Sequence, residues 1–193
     1  MMRVALALTL ALCAAGCATP IPPLPPGADP AARPERTPDI YYEPSPREVV
    51  TAMLTLAEVD SRDTVFDLGS GDGRIPIAAA RDFGARGVGI ELDPRLVAVA
   101  RANAEQAGVG ERVRFEEGDI FKADLRSATV VTLFLHPGIN RRLMPKLRAE
   151  LAPGSRIISH YHAMRGWPPA RKIRSRGRPV YLWIVPPRQP VSG

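Results

Sequence analysis

Apolar and polar positions along this chain fall into short alternating blocks that read as strand, helix, strand over most of its length. Val65, Phe66 and Leu68 form an apolar run around Asp67, which leads straight into Gly69, Gly71 and Gly73, and Ile75 to Phe83 is Ala-rich with helical spacing. A second apolar run, Gly87 to Ile90, ends on Glu91. Pro94 to Gly108 is a helix with Leu96, Val97, Val99, Ala100 and Ala104 inward, opened by Asp93-Pro94 and stopped by Gly108. Val113 to Glu117 is a third strand. Ala128 to Leu135 is apolar almost throughout, as expected of a central parallel strand buried on both faces. Asn140 to Glu150 is a basic helix, and Arg156 to Ser159 a fifth strand.

The two ends of this pattern differ in kind. Arg47 to Glu58 places Val49, Val50, Met53 and Leu54 on one helical face, and Ser45 can cap it, with Pro46 in the first turn and Glu48 three places on. Between His160 and Ala170 there is too little chain for a crossover helix, and Gly166, Pro168 and Pro169 break it further. Arg171 to Arg176 and Val180 to Val185 therefore read as a closing hairpin turned at Gly177. The fold class predicted is α/β: a doubly wound, Rossmann-like, seven-stranded sheet, mostly parallel with a C-terminal antiparallel hairpin.

Composition adds an unusual start. Arg3 precedes an apolar run from Val4 to Leu12, too short to span a bilayer, which ends in Ala14-Ala15-Gly16-Cys17. Residues 1–17 thus read as an export signal with a lipobox-like end. Lipidation at Cys17 is the leading expectation, ahead of ordinary cleavage or an uncleaved anchor. Cys13 and Cys17 are the two cysteines of the chain, so the folded part has none for disulfide, metal or thiol chemistry. Residues 18–40 are proline-rich and read as a spacer or a disordered tail, which leaves 41–188 as the domain.

Charge is split along the chain. Residues 1–124 hold 13 basic and 19 acidic side chains, a net of −6, whereas 125–193 hold 13 basic side chains against Glu150 alone, a net of +12. Such asymmetry marks either a face for an acidic partner or a solvated surface, since 23 of the 26 basic residues are arginine.

The candidate chemistry sits where strands meet turns. Glycines let the backbone approach a ligand closely, the following helix presents free N–H groups, and an acid at the tip of the next parallel strand can accept from a ribose diol. Here Glu91 lies 22 residues after Gly69. Arg74 stands where a dinucleotide fingerprint has its third glycine, which disfavours pyrophosphate and hence a nicotinamide-dependent oxidoreductase.

Asp67-Leu68-Gly69-Ser70-Gly71-Asp72-Gly73, Glu91 and Gly118-Asp119-Ile120 resemble the cofactor motifs of class I S-adenosylmethionine-dependent methyltransferases. The likeness runs from Tyr41 to Pro186. With Gly89-Ile90-Glu91-Leu92-Asp93-Pro94 and the 137–151 segment, it is similar to bacterial relatives of the mitochondrial protein-lysine methyltransferase family and, more loosely, to Dot1-like lysine methyltransferases.

The resemblance implies S-adenosyl-L-methionine as cofactor, bound by Asp67, Gly69, Ser70, Gly71, Gly73, Glu91, Asp119 and Ile120, with Asp119 accepting from the adenine amino group. It also implies that Tyr42 or Ser45 covers the cofactor's methionine end. The acceptor would meet His136-Pro137-Gly138-Ile139-Asn140 at the end of the fourth strand. His136 is the candidate catalytic residue there, and His160, Tyr161 and His162 also follow strand ends. The Asn/Asp-Pro-Pro-aromatic sequence of methyltransferases acting on bases or glutamine is missing at this point, so nucleic acid is not the expected acceptor. A protein lysine leads, then a small molecule, with acidic surroundings in either case. Binding without turnover is the non-enzymatic alternative. No metal site is legible in three histidines at these spacings.

A monomer attached to the bacterial cell envelope is expected, its side of the membrane undecided. An exported domain would need its cofactor outside the cytoplasm, so either the domain stays on the cytoplasmic side, the cofactor is supplied outside, or turnover is lost.

Overall fold

The computed structural model describes residues 21–38 and 41–188. The expected export signal and Cys17 lie outside these residues. Among them, no helix is long and apolar enough to cross a membrane.

The expected alternation folds as read. In chain order the elements are α1 (Arg47–Leu56), β1 (Thr64–Leu68), α2 (Arg74–Phe83), β2 (Arg86–Glu91), α3 (Pro94–Gln106), β3 (Val113–Glu117), β4 (Val130–Leu133), α4 (Pro137–Glu150), β5 (Arg156–His160), β6 (Arg171–Ser175) and β7 (Arg178–Ile184). One seven-stranded sheet has the order β3-β2-β1-β4-β5-β7-β6. β1 to β5 run parallel, and β7 inserts antiparallel between β5 and β6. Strand order reverses beside β1, and the crevice outside the carboxyl ends of β1 and β4 is where ligands bind in such sheets.

Period-two alternation divides the core between the two faces of the sheet. Phe66, Leu68, Val131, Leu133 and Ile157 pack with Leu143 and Leu147 of α4 and with Trp183. Val65, Val130 and Ile158 pack on the opposite face with Val50, Met53 and Leu54 of α1 and Ala79 of α2. A third cluster joins α2 and α3 over Phe115. At the end of the sheet opposite the crevice, Arg156 pairs with the buried Asp63 and also donates to the carbonyl of Ala57, tying β5 to the entry of β1.

Four local expectations change. The apolar run at 128–135 is longer than its strand, because only Val130–Leu133 ladder with both neighbours. α4 begins at Pro137 rather than Asn140, since His136 caps it and proline suits the first helical position. Ser45 does not cap α1. Pro46 is the N-cap, no side chain caps that end, and the Ser45 hydroxyl bonds His160 Nδ1 at 2.9 Å instead. Finally, the described part of the proline-rich stretch returns to the domain surface. It forms neither helix nor strand, but Arg36 pairs with Asp119 at 3.0 Å and Glu35 with Lys122 at 3.3 Å.

Candidate functional site

The carboxyl ends of β1, β2, β3 and β4 open into one cavity of about 1030 Å³. Asp67, Gly69, Ser70, Gly71, Glu91, Asp119, Ile120 and His136 all line it, as do Tyr42, Ser45 and His162. Gly73 does not. It caps α2 at φ 80°, and a Cβ there would lie 2.6 Å from the Phe115 ring and 2.9 Å from Ala100 Cβ. Packing of α2 on α3 and β3 by itself requires a glycine at this place in the motif.

The turn after β1 is built by backbone that only glycine adopts without strain. Gly69 and Gly71 have φ of 80° and 54°, and a Cβ on Gly71 would meet the Tyr42 ring at 2.6 Å. Tyr42 thus lies directly on the glycine turn. Its hydroxyl is buried beside Asp72 and Arg74; burial, then the Asp72 carboxylate, pushes it up to about 12, with Arg74 opposing. Ser70 Oγ is buried and unpartnered. Asp72 does not face the ligand space alone: Arg74 clasps it through two nitrogens and donates to the Ser45 carbonyl, joining the turn to the leader of α1.

Of the carboxylates lining the cavity, the three predicted to meet the cofactor are each held differently. Asp67 is enclosed beneath the turn and accepts from Thr132 Oγ1 at 2.6 Å; burial dominates and raises it to about 7. Glu91 accepts from the N–H of Gly71 (2.8 Å), Leu92 (2.8 Å) and Asp93 (3.0 Å). Burial outweighs these three donors and lifts its carboxyl above the ordinary range. Asp119 is more open. Partial burial works against its charge, but Arg36 and the Phe121 N–H outweigh that and hold it low.

The far end of the cavity is ringed by aromatic and imidazole groups from the ends of β4 and β5. Phe134 lies against His160, tilted by 35° at 4.0 Å between centroids, and stacks with His162 at 6.5 Å; His136 and His162 are 6.1 Å apart. His136 is exposed and accepts weakly from the Gly138 N–H through Nδ1 at 3.4 Å. His160 is fully buried and does not line the cavity; burial, then Arg178 and His162, depress it to about 4. His162 is half-buried, and burial followed by His136 lowers it, with Glu43 opposing.

These residues fit S-adenosylmethionine. Carboxylates suit its cationic sulfonium and amino groups, a buried serine hydroxyl is orphaned at the turn, and the turn itself is a cradle that a Cβ would fill. Sequence reading missed the wall supplied by Ile21, Arg36, Thr37 and Pro38, and also Phe134. Composition flags a proline-rich stretch as unstructured, and nothing in it announces that Arg36 meets Asp119.

Comparison with known proteins agrees with this geometry. The model of the ANTKMT methyltransferase domain matches residues 67–171. The chain is 42% identical over 153 residues to a protein-lysine N-methyltransferase of Saccharolobus islandicus, covering 77% of this chain and 95% of that protein. It is 37% identical over 146 residues to the mouse adenine nucleotide translocase lysine N-methyltransferase, of which it spans 62%. Among solved structures, an RNA methyltransferase from Salinibacter ruber in complex with S-adenosyl-L-homocysteine superposes with a TM-score of 0.75 at 51% identity. That match covers 78% of this chain and 98% of the other.

Proposed function

We infer the reaction from one premise: the chain belongs to the ANTKMT methyltransferase domain family and is an S-adenosylmethionine-dependent methyltransferase. We propose that its acceptor is the ε-amine of a protein lysine, the substrate class named for the archaeal and mouse relatives. The observation that carries the reading is the convergence of Asp67, Glu91 and Asp119 with the glycine turn in one cavity whose other end is walled by Phe134, His136 and His162.

In that arrangement Glu91 would hold the ribose diol, Asp119 the adenine amino group, and the turn under Tyr42 the methionine end. The bound cofactor supplies an electrophilic methyl group. The protein's task is then to position a nucleophile in line with it and to keep water away. A lysine must arrive as the neutral amine, and the apolar wall formed by Phe134, Leu135 and Ile139 disfavours its charged form.

RNA is a second reading, favoured by the similarity to the Salinibacter RNA methyltransferase and by the basic residues of α4. We further propose attachment to the envelope membrane through residues 1–17, supported by the apolar run and Ala14-Ala15-Gly16-Cys17.

One experiment separates the acceptors. The full-length protein is incubated with tritiated S-adenosylmethionine and extract of cells lacking it, and the label is tested with ribonuclease and with protease. Protease-sensitive label that hydrolyses to methyl-lysine is the expected result. Ribonuclease-sensitive label, or label only in small molecules, overturns the lysine reading.

A further inference from the structure

The turn that follows β5 is strained and points at the cavity. Tyr161, an L-residue with its side chain largely in solvent, has φ 68°. The His162 N–H donates to the His160 carbonyl at 2.8 Å across it, which makes a three-residue turn about a residue in the left-handed region. Nothing about Tyr161 itself favours that conformation. It is held from outside: the Tyr161 N–H donates to the Pro179 carbonyl at 2.8 Å, Ser159 Oγ donates to the His162 carbonyl at 2.6 Å, and Asn140 Nδ2 reaches the same carbonyl at 3.5 Å. β5, the hairpin and the first turn of α4 thus combine to fix one residue, and strain of this kind collects at functional sites.

What the strained turn delivers is the His162 ring. It lies near-parallel to Phe134, 18° between planes, and faces His136 across the cavity wall. Of the three histidines, His160 is committed to Ser45 and lies behind the wall, and His136 is exposed to solvent. His162 lines the cavity and is sheltered.

We propose that His162 is the hydrogen-bond acceptor that receives an N–H of the acceptor amine and turns the amine's lone pair toward the methyl group. This rests on the lysine reading above. A neutral imidazole offers one lone pair, and a protonated one offers none and repels an ammonium group. The charged and titratable groups facing His162 are His136 from the cap of α4, Glu43 from the leader of α1, His160 at the end of β5, and the neighbouring Tyr161, whose ring lies edge-on at 5.0 Å. Burial and His136 keep the ring neutral near pH 7, against Glu43.

The test uses full-length protein, tritiated S-adenosylmethionine and a random Lys/Glu copolymer as acceptor, whose lysines lie among carboxylates. His162→Phe keeps the stacked ring and loses the acceptor; His162→Gln loses the ring and keeps a carbonyl. Turnover is expected to fall at least about tenfold in His162→Phe and to recover in part in His162→Gln, with S-adenosylhomocysteine affinity unchanged in both. The part of the wild-type acid limb that follows His162 protonation should be lost in His162→Gln, leaving the parts set by the acceptor amine and by Glu91. In the S-adenosylhomocysteine complex, NMR should place the His162 midpoint below 6.5, the ordinary histidine value. A purely structural ring would give the opposite order, Phe better than Gln, and overturns the proposal, as does a midpoint at or above 6.5. If wild type labels neither the copolymer nor any protein lysine, the lysine reading itself fails, and this assignment falls with it.

Discussion

Replacing Glu91 by Gln changes one atom of its carboxylate and should be felt twice. In the protein, Oε2 accepts from the Gly71 N–H while Oε1 accepts from those of Leu92 and Asp93. A glutamine amide has one oxygen, so whichever way it turns, at least one backbone donor faces an NH₂ group that cannot accept. A buried donor left without a partner costs about 1–3 kcal/mol, so the unfolding free energy should drop by about that much. The ribose diol meanwhile loses its charged acceptor, worth about 1.5–3 kcal/mol, or roughly 10- to 150-fold in affinity.

Isothermal calorimetry with S-adenosylhomocysteine measures the second effect, and urea unfolding of the free protein measures the first. pH gives an independent arm. Because burial raises the Glu91 carboxyl above the ordinary range, protonation removes the acceptor at a higher pH than for a solvated carboxylate. Wild-type affinity should therefore fall on acidification through that raised value, while the Gln variant stays flatter. If Glu91→Gln and Glu91→Ala both bind within threefold of wild type at pH 8, Glu91 does not contact the ribose.

Other outcomes follow from the same geometry. Gly73→Ala places a methyl group against Phe115 and Ala100 at φ 80°, so it should destabilise by about 2–5 kcal/mol in urea while the folded fraction binds S-adenosylhomocysteine as before; lost affinity with intact stability would return Gly73 to the ligand. Arg36→Ala frees the Asp119 carboxylate, and since a partly exposed ion pair is worth about 1 kcal/mol or less, calorimetry should show S-adenosylhomocysteine binding tighter by up to about fivefold. Weaker binding would mean that the proline-rich stretch bearing Arg36 clasps the cofactor rather than competing with it. Arg141→Glu should raise the KM of a Lys/Glu copolymer, more at 10 mM than at 200 mM salt, because the screening length shrinks from about 30 Å toward 8 Å; an unchanged KM at low salt makes the arginine ordinary solvated surface.

How much of this was legible in the chain depends on whether the signal is local. β1, α2, β2 and α3 were readable because apolar period, glycine and Asp-Pro punctuation all fall within a few residues, and the three acids lie at strand ends that any parallel sheet brings to one edge. Ser45 shows the limit. Its sequence fits a capping box, but its hydroxyl is taken by His160, 115 residues away, and no local rule weighs a cap against a tertiary partner. Gly73 fits the same motif as Gly69 and Gly71, yet its close neighbours are a ring on β3 and a methyl on α3. The Arg36 contact was invisible for a related reason. Proline excludes helix and sheet, but it does not say whether an extended stretch lies on the domain or leaves it.

The charge division acquires a physical sense once the partners are placed. The acids of the first half include Asp67, Glu91 and Asp119, which gather at the cavity that would take a cationic cofactor. The excess cations of the second half are largely engaged locally. Lys146 pairs with Glu150, Arg171 with Glu58 and Arg176 with Glu48; Arg142 lies over the Phe121 ring, Arg148 over Trp167 and Lys172 over Tyr181. A guanidinium stacked on a ring keeps its charge and its outward N–H groups, so such residues form a fixed rather than a fluctuating positive surface. α4 carries that surface away from His136, its own N-cap and part of the cavity rim. An acceptor lysine on a neutral peptide would approach against this potential, whereas one among carboxylates would be drawn to it. If that field reaches the rim, it sorts acceptors by the charge around them, and the salt dependence of the Arg141→Glu KM is what reads it.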